Sequence, residues 1–324
     1  MDTKRAGDGF RHRLSIYPAK AAGVCRLGSA WLCVLRDTVN GGLNMVNCWF
    51  DYKTVIVSGA SSGIGKGLVK KLISDHGCTV IGIARNEKRM KALVEELGDK
   101  AHYFSYYLFD VSEKESWRNF ANDITEKGIQ PDILINNAGI LPKFNKFGHY
   151  SLEDIDRAMQ VNFYSNVYSM NVMIPILLRS KSAGIVNVSS SAALCSLAGT
   201  SIYSASKAAV KSMTESIREE YRGRIYVGLV CPGFTKTDIF HNQDKGNESA
   251  ASEKMLNMVS TSCDRMVNDI ITGIWKKKSN MVFGIDAKMM NDGTRFFGVL
   301  VSKVSSEVIK KAHLDMFKDV FYSD

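Results

Sequence analysis

A regular alternation of strand-like and helix-like segments, beginning near Lys53, is the strongest constraint on the fold of this 324-residue chain. The strand-like segments are apolar runs rich in β-branched residues, and amphipathic stretches such as NEKRMKALVEELG separate them. In chain order these runs are TVIVS, TVIGIA, HYFSYYLFD, DILINNAG, GIVNVSS, RIYVGLVCPG and NMVFG. Strands that alternate with helices form a parallel sheet covered on both faces. We therefore predict a doubly wound α/β fold of about seven strands that binds its ligand at their carboxyl ends.

The two ends of the chain differ from this regular region. Residues 1–44 carry seven Lys or Arg and three Asp without clean periodicity, and we expect a basic extension outside the fold, non-native or disordered. Two interpretations stay open, a transit peptide or residues that precede a true start at Met45. The α/β domain is expected over residues 45–285. In residues 286–324 apolar positions recur among lysines, which predicts one or two amphipathic helices packed on the domain; a membrane surface and a subunit contact are the alternatives.

Charge, cysteine content and hydropathy argue against several classes of protein. The net charge is +9 without a dense basic run, and it falls to +5 without the extension (+9 minus +4), so we expect no nucleic-acid partner. The seven cysteines are odd in number and none has C-x-x-C spacing, which favours buried thiols in a reducing compartment. No run of about eighteen apolar residues occurs and the six histidines form no ligand cluster, so we expect neither a transmembrane helix nor a metal site.

The segment SGASSGIG, at Ser58–Gly65, lies where the first predicted strand passes into the first helix. Its glycines permit a tight turn and let a pyrophosphate approach backbone N–H groups at a helix N-terminus. The spacing is G-x-x-x-G-x-G, which differs from the common fingerprint G-x-G-x-x-G, so the position after the first strand carries the argument. We predict a dinucleotide site at this turn.

The residue that follows the second strand indicates which dinucleotide binds. The strand ends at Ala84, and Arg85 follows where NAD-binding folds of this kind usually offer a carboxylate. An arginine pairs with the 2′-phosphate of NADP through charge-assisted hydrogen bonds, to which Ser61 and Asn86 can add. This pattern favours NADP(H) over NAD(H). The alternative is a solvated arginine at a strand end.

The stretch YSASK places Tyr203 and Lys207 one turn apart on one face of a predicted helix. Alone, this spacing fits either surface decoration or an acid–base pair. The motifs around it occur in a fixed order: SGASSGIG, FDV, NNAG, VNF, VNVSSS, YSASK and CPG. Over residues 52–240 this ordered set resembles the short-chain dehydrogenase/reductase family. The resemblance implies a Rossmann fold, a nicotinamide cofactor and a homodimer or homotetramer.

The resemblance also implies a catalytic set of four residues, Asn162, Ser190, Tyr203 and Lys207. Tyr203 would be the general acid in reduction and the general base in oxidation, and Ser190 would donate a hydrogen bond to the carbonyl oxygen. Asn162 would hold a water in a proton relay, and Lys207 would bind the nicotinamide ribose. Because a free tyrosine has a pKa near 10, we expect Lys207 and the oxidised nicotinamide to lower it, and a fall to about 7 requires about 4 kcal/mol.

The residues around the cofactor are implied in the same way. Asp110 would bond the adenine amino group, with Val111 beside the ring, and NNAG would form the floor of the site. Pro232 and Gly233 would border the nicotinamide, and Thr237 would touch its carboxamide or a phosphate. The full expected set is Gly59, Ser61, Ser62, Gly63, Ile64, Gly65, Arg85, Asp110, Val111, Asn137, Ala138, Gly139, Tyr203, Lys207, Pro232, Gly233, Thr235 and Thr237.

The resulting hypothesis is an NADP(H)-dependent oxidoreductase that interconverts a carbonyl and a secondary alcohol. An expected lid over residues 236–266 offers adaptable apolar side chains that suit a steroid, retinoid or lipid-like ketone. These side chains are Ile239, Phe240, Met255, Leu256 and Met258. A 3-oxoacyl thioester reductase is the alternative among enzymes, and a non-catalytic dinucleotide sensor is the alternative outside them. We expect a cytoplasmic protein, with peripheral membrane association left open.

Overall fold

The computed structural model describes residues 11–12, 48–242 and 260–322. Its parallel strands are β1 (Thr54–Ser58), β2 (Thr79–Ala84), β3 (Phe104–Leu108), β4 (Ile133–Asn136), β5 (Gly184–Val188), β6 (Tyr226–Pro232) and β7 (Asn280–Phe283). They form one sheet in the order β3-β2-β1-β4-β5-β6-β7, and Arg11–His12 pairs antiparallel with the outer edge of β3. The predicted doubly wound sheet of seven parallel strands is confirmed.

Helices cover both faces of the sheet and continue beyond its last strand. They are α1 (Gly63–His76), α2 (Glu87–Leu97), α3 (Lys114–Glu126), α4 (Leu152–Met159), α5 (Ser165–Leu177), α6 (Ser201–Glu220), α7 (Cys263–Trp275), α8 (Ile285–Phe297), α9 (Leu300–Lys311) and α10 (Lys318–Phe321). No helix in the described ranges is long and apolar enough to cross a membrane.

The strand sequences read as continuous apolar runs because both faces of the sheet are buried. Successive residues of β1 point to opposite faces, so Val55 and Val57 join the core on one side while Ile56 joins the core on the other. The first core is completed by α1 and α7, and the second by α3 and α5. The sheet is therefore fixed between two helical layers, and the loops at its carboxyl edge are free to form a site.

The helical region over residues 152–177 is interrupted by a turn of different pitch. Helix α4 ends at Met159, a π turn spans Gln160–Tyr164, and α5 follows directly. A π turn accommodates an extra residue within a helix and is frequent at functional sites. Here it contains Asn162, one of the predicted site residues.

The C-terminal helices extend the domain on the side of the carboxyl edge. Leu314 and Phe317 are buried in an apolar cluster with Leu141 and Phe144 of the loop after β4. The rings of Phe144 and Phe317 are stacked with their centroids 4.6 Å apart. The end of the chain therefore packs against the loops that surround the predicted site.

Candidate active site

The turn after β1 is closed by contacts that only glycine allows. Gly59 has a φ of +68°, and a Cβ there would lie 2.9 Å from the Cα of Ala138. A Cβ on Gly65 would lie 2.2 Å from the carbonyl oxygen of Gly59, so the first turn of α1 packs directly on this loop. Gly63 has a φ of +50° and faces the side chain of Thr237. The predicted phosphate-binding glycines are thus also required to form the turn itself.

The NNAG segment after β4 holds the glycine turn in place. Ser58 Oγ accepts hydrogen bonds from the backbone N–H groups of Asn137, at 3.0 Å, and Ala138, at 3.1 Å. Asn137 Nδ2 donates in return to the carbonyl oxygen of Ser58 at 3.1 Å. The hydroxyl of Ser58 therefore joins the ends of two neighbouring strands, a positioning role that no motif indicates.

The start of α1 offers donors to an anion. The first N–H groups of a helix have no intrahelical partner, and the positive end of the helix dipole lies beside them. The side chain of Ser62, at the N-cap, makes no capping hydrogen bond, and the cavity described below is lined by both Ser61 and Ser62. Amide and hydroxyl donors therefore face the space where a pyrophosphate is expected.

Helix α6 brings the predicted acid–base residues together. The Tyr203 phenol and the hydroxyl of Ser190, which follows β5, line the same cavity, and Ser190 acts to lower the pKa of Tyr203. Ser190 is fixed in turn, because its Oγ accepts the backbone N–H of Ala192 at 3.2 Å. Lys207 Nζ lies 5.9 Å from the centroid of the Tyr203 ring. Three of the four predicted catalytic residues thus meet at the carboxyl end of β5.

Lys207 is an ammonium held in the interior, with only 3 % of its surface exposed. Among the described residues, the carbonyl oxygen of Val188 accepts its one hydrogen bond, at 3.2 Å, which leaves two of its three N–H donors for a ligand. A Cβ on Gly139 would lie 3.1 Å from Nζ, so the glycine of NNAG makes room for the ammonium. Burial lowers the pKa of Lys207 to about 8.

In the protein without cofactor Tyr203 is a neutral phenol, whereas the lowered pKa expected beside the oxidised nicotinamide stays a prediction. Burial raises the pKa of Tyr203, and the hydrogen bond with Ser190 opposes that rise only in part. In the protein alone, desolvation therefore outweighs the neighbouring groups. The phenol stays protonated at neutral pH and is available as a proton donor.

Asn162, the fourth predicted catalytic residue, is fully buried in the π turn and does not line the cavity. Its Oδ1 accepts the N–H of Ile140 at 2.8 Å, and its Nδ2 donates to the carbonyl oxygen of Ile140 at 3.0 Å. Nδ2 also donates to Ser206 Oγ in α6 at 3.0 Å. Both amide hydrogens are used, so Asn162 ties the loop after β4 to the helix that carries Tyr203. Its expected water-holding role stays a prediction.

Two arginines line the opposite part of the site. Arg85 Nη1 pairs with Asp110 Oδ2 at 3.0 Å, and Arg89 pairs with Asp238 at 3.4 Å. Burial would raise the pKa of Asp110, but hydrogen bonds from Ser112 and the Arg85 cation hold it below its usual value. Arg89 was not among the predicted residues. Its signal was present in RNEKR, because it lies four residues after Arg85 on the first turn of α2.

The loop after β6 is positioned by a residue near the C-terminus. Asp286, at the start of α8, accepts the backbone N–H of Phe234 at 2.7 Å. A Cβ on Gly233 would lie 2.0 Å from Asp286 Oδ1, so only glycine fits there. Burial raises the pKa of Asp286. The loop that contains Pro232 and Gly233 therefore depends on a carboxyl group that no motif indicated.

One cavity of about 490 Å³ joins these groups. All predicted site residues line the cavity except Asn162 and Gly65. Asn162 contacts Ile140 and Ser206, and Gly65 packs on Gly59. The lining residues among them are Gly59, Ser61, Ser62, Gly63, Ile64, Arg85, Asp110, Val111, Asn137, Ala138, Gly139, Ser190, Tyr203, Lys207, Pro232, Gly233, Thr235 and Thr237. The structure thus assembles residues from every segment of the ordered motif set around one space.

The remaining wall of the cavity is apolar and packs against Tyr203. It contains the predicted lid residues Ile239 and Phe240, while Met255, Leu256 and Met258 lie outside the described residues. Among the apolar lining residues that were not predicted, six belong to the cluster that packs against Tyr203: Leu141, Phe144, Cys195, Leu197, Met290 and Phe317. No motif marks them, because they come together only through tertiary packing of the C-terminal helices on the loops after β4 and β5.

A second polar cluster lies away from the cavity. Side chains of Cys48, Asp51 and His76 have possible metal-ligand atoms within 4.8 Å of one another. Asp51 accepts the backbone N–H of Cys48 at 2.7 Å and is hydrogen-bonded to His76 Nδ1 at 2.8 Å. These bonds satisfy the carboxylate without an ion and join the segment before β1 to the end of α1.

Comparison with known proteins agrees with this geometry. The family model described as short chain dehydrogenase matches residues 53–248, well over half of the chain. The chain belongs to the short-chain dehydrogenase family. It is therefore a member of an oxidoreductase family, and the resemblance drawn from its motifs is confirmed.

Individual relatives are similar over the same region. An NADPH-dependent pterin aldehyde reductase of Arabidopsis thaliana is 33% identical over 187 residues, which cover 58% of this chain and 76% of that protein. The 3-oxoacyl-[acyl-carrier-protein] reductase FabG of Chlamydia pneumoniae is 34% identical over 188 residues, 58% of this chain and 75% of that protein. Among solved structures, the closed form of a serine dehydrogenase complexed with NADP+ has a TM-score of 0.61 at 25% identity and covers 68% of this chain and 88% of that one.

Proposed function

We propose that this short-chain dehydrogenase uses NADP(H) to interconvert a carbonyl and a secondary alcohol on an apolar substrate. The observation that carries the proposal is that the Tyr203 phenol, the Ser190 hydroxyl and the buried ammonium of Lys207 line one cavity together with the glycine turn. A phenol, a hydroxyl and a cation placed together can deliver a proton to a carbonyl oxygen as negative charge develops there.

The residues present fit a phosphorylated dinucleotide. The turn at Gly59 and the start of α1 offer backbone donors for a pyrophosphate. Arg85 and Arg89 offer cations for a 2′-phosphate, and Asp110 offers an acceptor for an adenine amino group. Bound NADP(H) would supply or accept the hydride. The pterin aldehyde reductase named as NADPH-dependent and the serine dehydrogenase solved with NADP+ support this choice of cofactor.

Tyr203 is the proposed proton donor in the reductive direction. Its raised pKa keeps the phenol protonated at neutral pH, which is the form that a general acid requires. Ser190 Oγ, already fixed by Ala192, is positioned to donate a hydrogen bond to the substrate oxygen. Carbonyl reduction is therefore the direction that the protein alone favours.

Lys207 and Asn162 are proposed to support this donor in different ways. Lys207 places positive charge near the Tyr203 ring and keeps donors for the hydroxyls of a bound ribose. Asn162 is proposed as a positioning residue, since its side chain joins Ile140 to Ser206 in α6 and thereby sets the height of Tyr203 above the sheet.

The apolar wall supports a substrate with a large hydrophobic body. Leu141, Phe144 and Met290 contribute aliphatic, aromatic and thioether surface, and methionine adapts to irregular shapes. A steroid, a retinoid or a lipid-like ketone fits this chemistry. The relationship to FabG reductases keeps a 3-oxoacyl thioester as a second candidate substrate. A non-catalytic dinucleotide sensor is the candidate outside enzymes.

The test is oxidation of NADPH against a panel of apolar ketones, steroids, retinal, a pterin aldehyde and a 3-oxoacyl thioester, with NADH in parallel. We expect turnover with NADPH on an apolar class, and a loss of about 10³-fold or more in kcat for Tyr203→Phe. Turnover confined to the thioester would replace the apolar substrate. Tight NADPH binding without turnover on any carbonyl would favour the sensor.

We also propose a homodimer or homotetramer in the cytoplasm, with α5 and α6 at the subunit contact. Tyr164, beside α5, is 39% exposed, and none of the five described cysteines forms a disulfide, which fits a reducing compartment. Light scattering coupled to size-exclusion chromatography measures the assembly directly. A mass of 35.9 kDa, that of one chain, at micromolar concentration would contradict it.

A further inference from the structure

Helices α8 and α9 form a hairpin whose outer surface is unusually apolar for an exposed segment. At its turn the six residues 295–300 are all exposed, and four of them have large apolar side chains. Phe296 is 75%, Phe297 67% and Val299 89% exposed, and Leu300 is exposed beside them. Contiguous apolar surface of this kind marks a binding site rather than ordinary solvent-facing surface.

The two helices of the hairpin pack closely against each other near their turn. The two helices approach closely, because a Cβ on Gly293 would lie 3.0 Å from Cγ2 of Val301. The turn between them has Gly298 at a φ of +56°, and a Cβ there would meet nothing within 4 Å. The four apolar side chains therefore lie at an exposed turn, the tip of the hairpin, with open space beside Gly298.

Positive charge borders the tip. Arg295 precedes the apolar residues and Lys303 follows them by one helical turn. Neither forms a salt bridge with any residue in the described ranges. An apolar wedge flanked by unneutralised cations is complementary to a bilayer that carries anionic headgroups.

A second copy of the chain fits this surface less well. In a twofold contact the same patch faces itself, so Arg295 and Lys303 would be brought close to the same two cations of the second copy. Like charges brought together in this way oppose association. A lipid surface accepts exposed apolar side chains and pairs with both cations.

The inner side of the same hairpin belongs to the candidate active site. Met290 of α8 lines the cavity, and Val301 of α9 packs on the apolar cluster around Tyr203. The same hairpin therefore forms part of the cavity wall on its inner side and presents the exposed apolar tip on its outer side. A substrate dissolved in a bilayer would meet the protein at the element that forms one wall of its binding site.

We propose that the α8–α9 tip docks this protein on anionic membranes and that the apolar substrate enters its cavity from the bilayer. The docking itself does not require catalysis, whereas the substrate route rests on the proposed function. The proposed occupant of this surface is a lipid bilayer with acidic headgroups. The side chains of Phe296, Phe297, Val299 and Leu300 insert below the headgroups, and Arg295 and Lys303 pair with the headgroup charges.

The test is cosedimentation of the full chain with phosphatidylcholine vesicles prepared with and without phosphatidylglycerol, in the absence of cofactor and substrate. We expect binding to the anionic vesicles that weakens with salt, and a loss of about tenfold in affinity for Phe297→Ser. Phe147→Ser is the matched control, because Phe147 is 65% exposed outside the hairpin, and it should bind as the wild type does.

The charge contribution has its own matched pair. Arg295→Gln with Lys303→Gln should remove the preference for anionic vesicles, whereas Arg179→Gln with Lys181→Gln, an exposed arginine and lysine elsewhere, should retain it. Equal binding by all variants, or no binding to anionic vesicles, would overturn the proposal. A change of oligomeric mass in Phe297→Ser with unchanged vesicle binding would assign the tip to a second copy. Turnover of a water-soluble carbonyl by a variant that no longer binds vesicles would leave the proposed function intact.

Discussion

Lys207 carries a charge in the protein interior, so its replacement by an apolar side chain of similar length should stabilise the fold while it removes activity. The ammonium has one hydrogen bond, to the carbonyl oxygen of Val188, and no carboxylate neutralises it among its described contacts. Buried charges without a partner are costly, and functional sites are where proteins retain them. Lys207→Met removes the charge and keeps the volume.

The size of the effect follows from the pKa of Lys207, which burial lowers from 10.5 to about 8. At neutral pH the lysine is protonated in both folded and unfolded protein, so the folded state bears the whole cost, about 3 kcal/mol. Loss of the hydrogen bond to Val188 offsets about 1 kcal/mol of this. We therefore expect Lys207→Met to gain about 2 kcal/mol in the free energy of unfolding at pH 7, with no detectable turnover.

The pH dependence separates this cause from general repacking. As pH rises from about 8 to about 10.5, the folded lysine is neutral while the unfolded lysine still binds its proton, so the wild type gains stability relative to the variant. Urea unfolding of both proteins without cofactor at pH 7 and near pH 10 measures the difference. The advantage of the variant should be largest at pH 7 and should shrink toward pH 10. A variant that is less stable at pH 7, or a pH-independent gap, would refute the reasoning.

Two further changes test the cofactor end of the site. Arg85→Ala and Arg89→Ala should each weaken NADPH binding about tenfold or more and leave NADH binding nearly unchanged. The reason is that each variant removes a cation available to a 2′-phosphate. Equal losses of affinity for both cofactors in a binding titration would contradict this role. Gly59→Ala should cost more stability than Gly128→Ala. Both glycines have positive φ, but only the Cβ at position 59 meets backbone, so thermal unfolding should show an additional loss of roughly 1–3 kcal/mol there, and similar losses would argue against a required close approach.

The parts of the fold that the sequence predicts correctly are those set by local patterns. The strands β1, β2, β4, β5 and β6 are buried on both faces of the sheet. Their sequences are therefore nearly continuous apolar runs, which can be recognised without knowledge of the tertiary structure. The glycine turn and the YSASK helix are also local, because their spacing alone places side chains on one face or permits a turn. From these local features the sheet, the location of the cavity and the position of Tyr203 could be predicted.

The residues that were missed depend on contacts between distant segments. Phe317 reaches the cavity by stacking on Phe144, and Asp286 holds a loop more than fifty residues earlier in the chain. No spacing rule links such pairs. The raised pKa of Tyr203 in the protein without cofactor has a related cause, because the burial of this side chain depends on its packing against the C-terminal cluster. Desolvation is a property of the packed molecule, which a motif does not report.

A single-turnover experiment shows whether Tyr203 transfers the proton while the dinucleotide site binds NADP(H). Enzyme preloaded with NADPH is mixed with the best carbonyl of the panel, and the loss of reduced cofactor is followed for wild type, Tyr203→Phe and Tyr150→Phe. Tyr150 is the control, because its hydroxyl donates to the carbonyl oxygen of Gly199 and does not line the cavity. We expect equal NADPH affinity in all three proteins and loss of the fast phase only in Tyr203→Phe. A fast phase that survives in Tyr203→Phe would contradict this expectation.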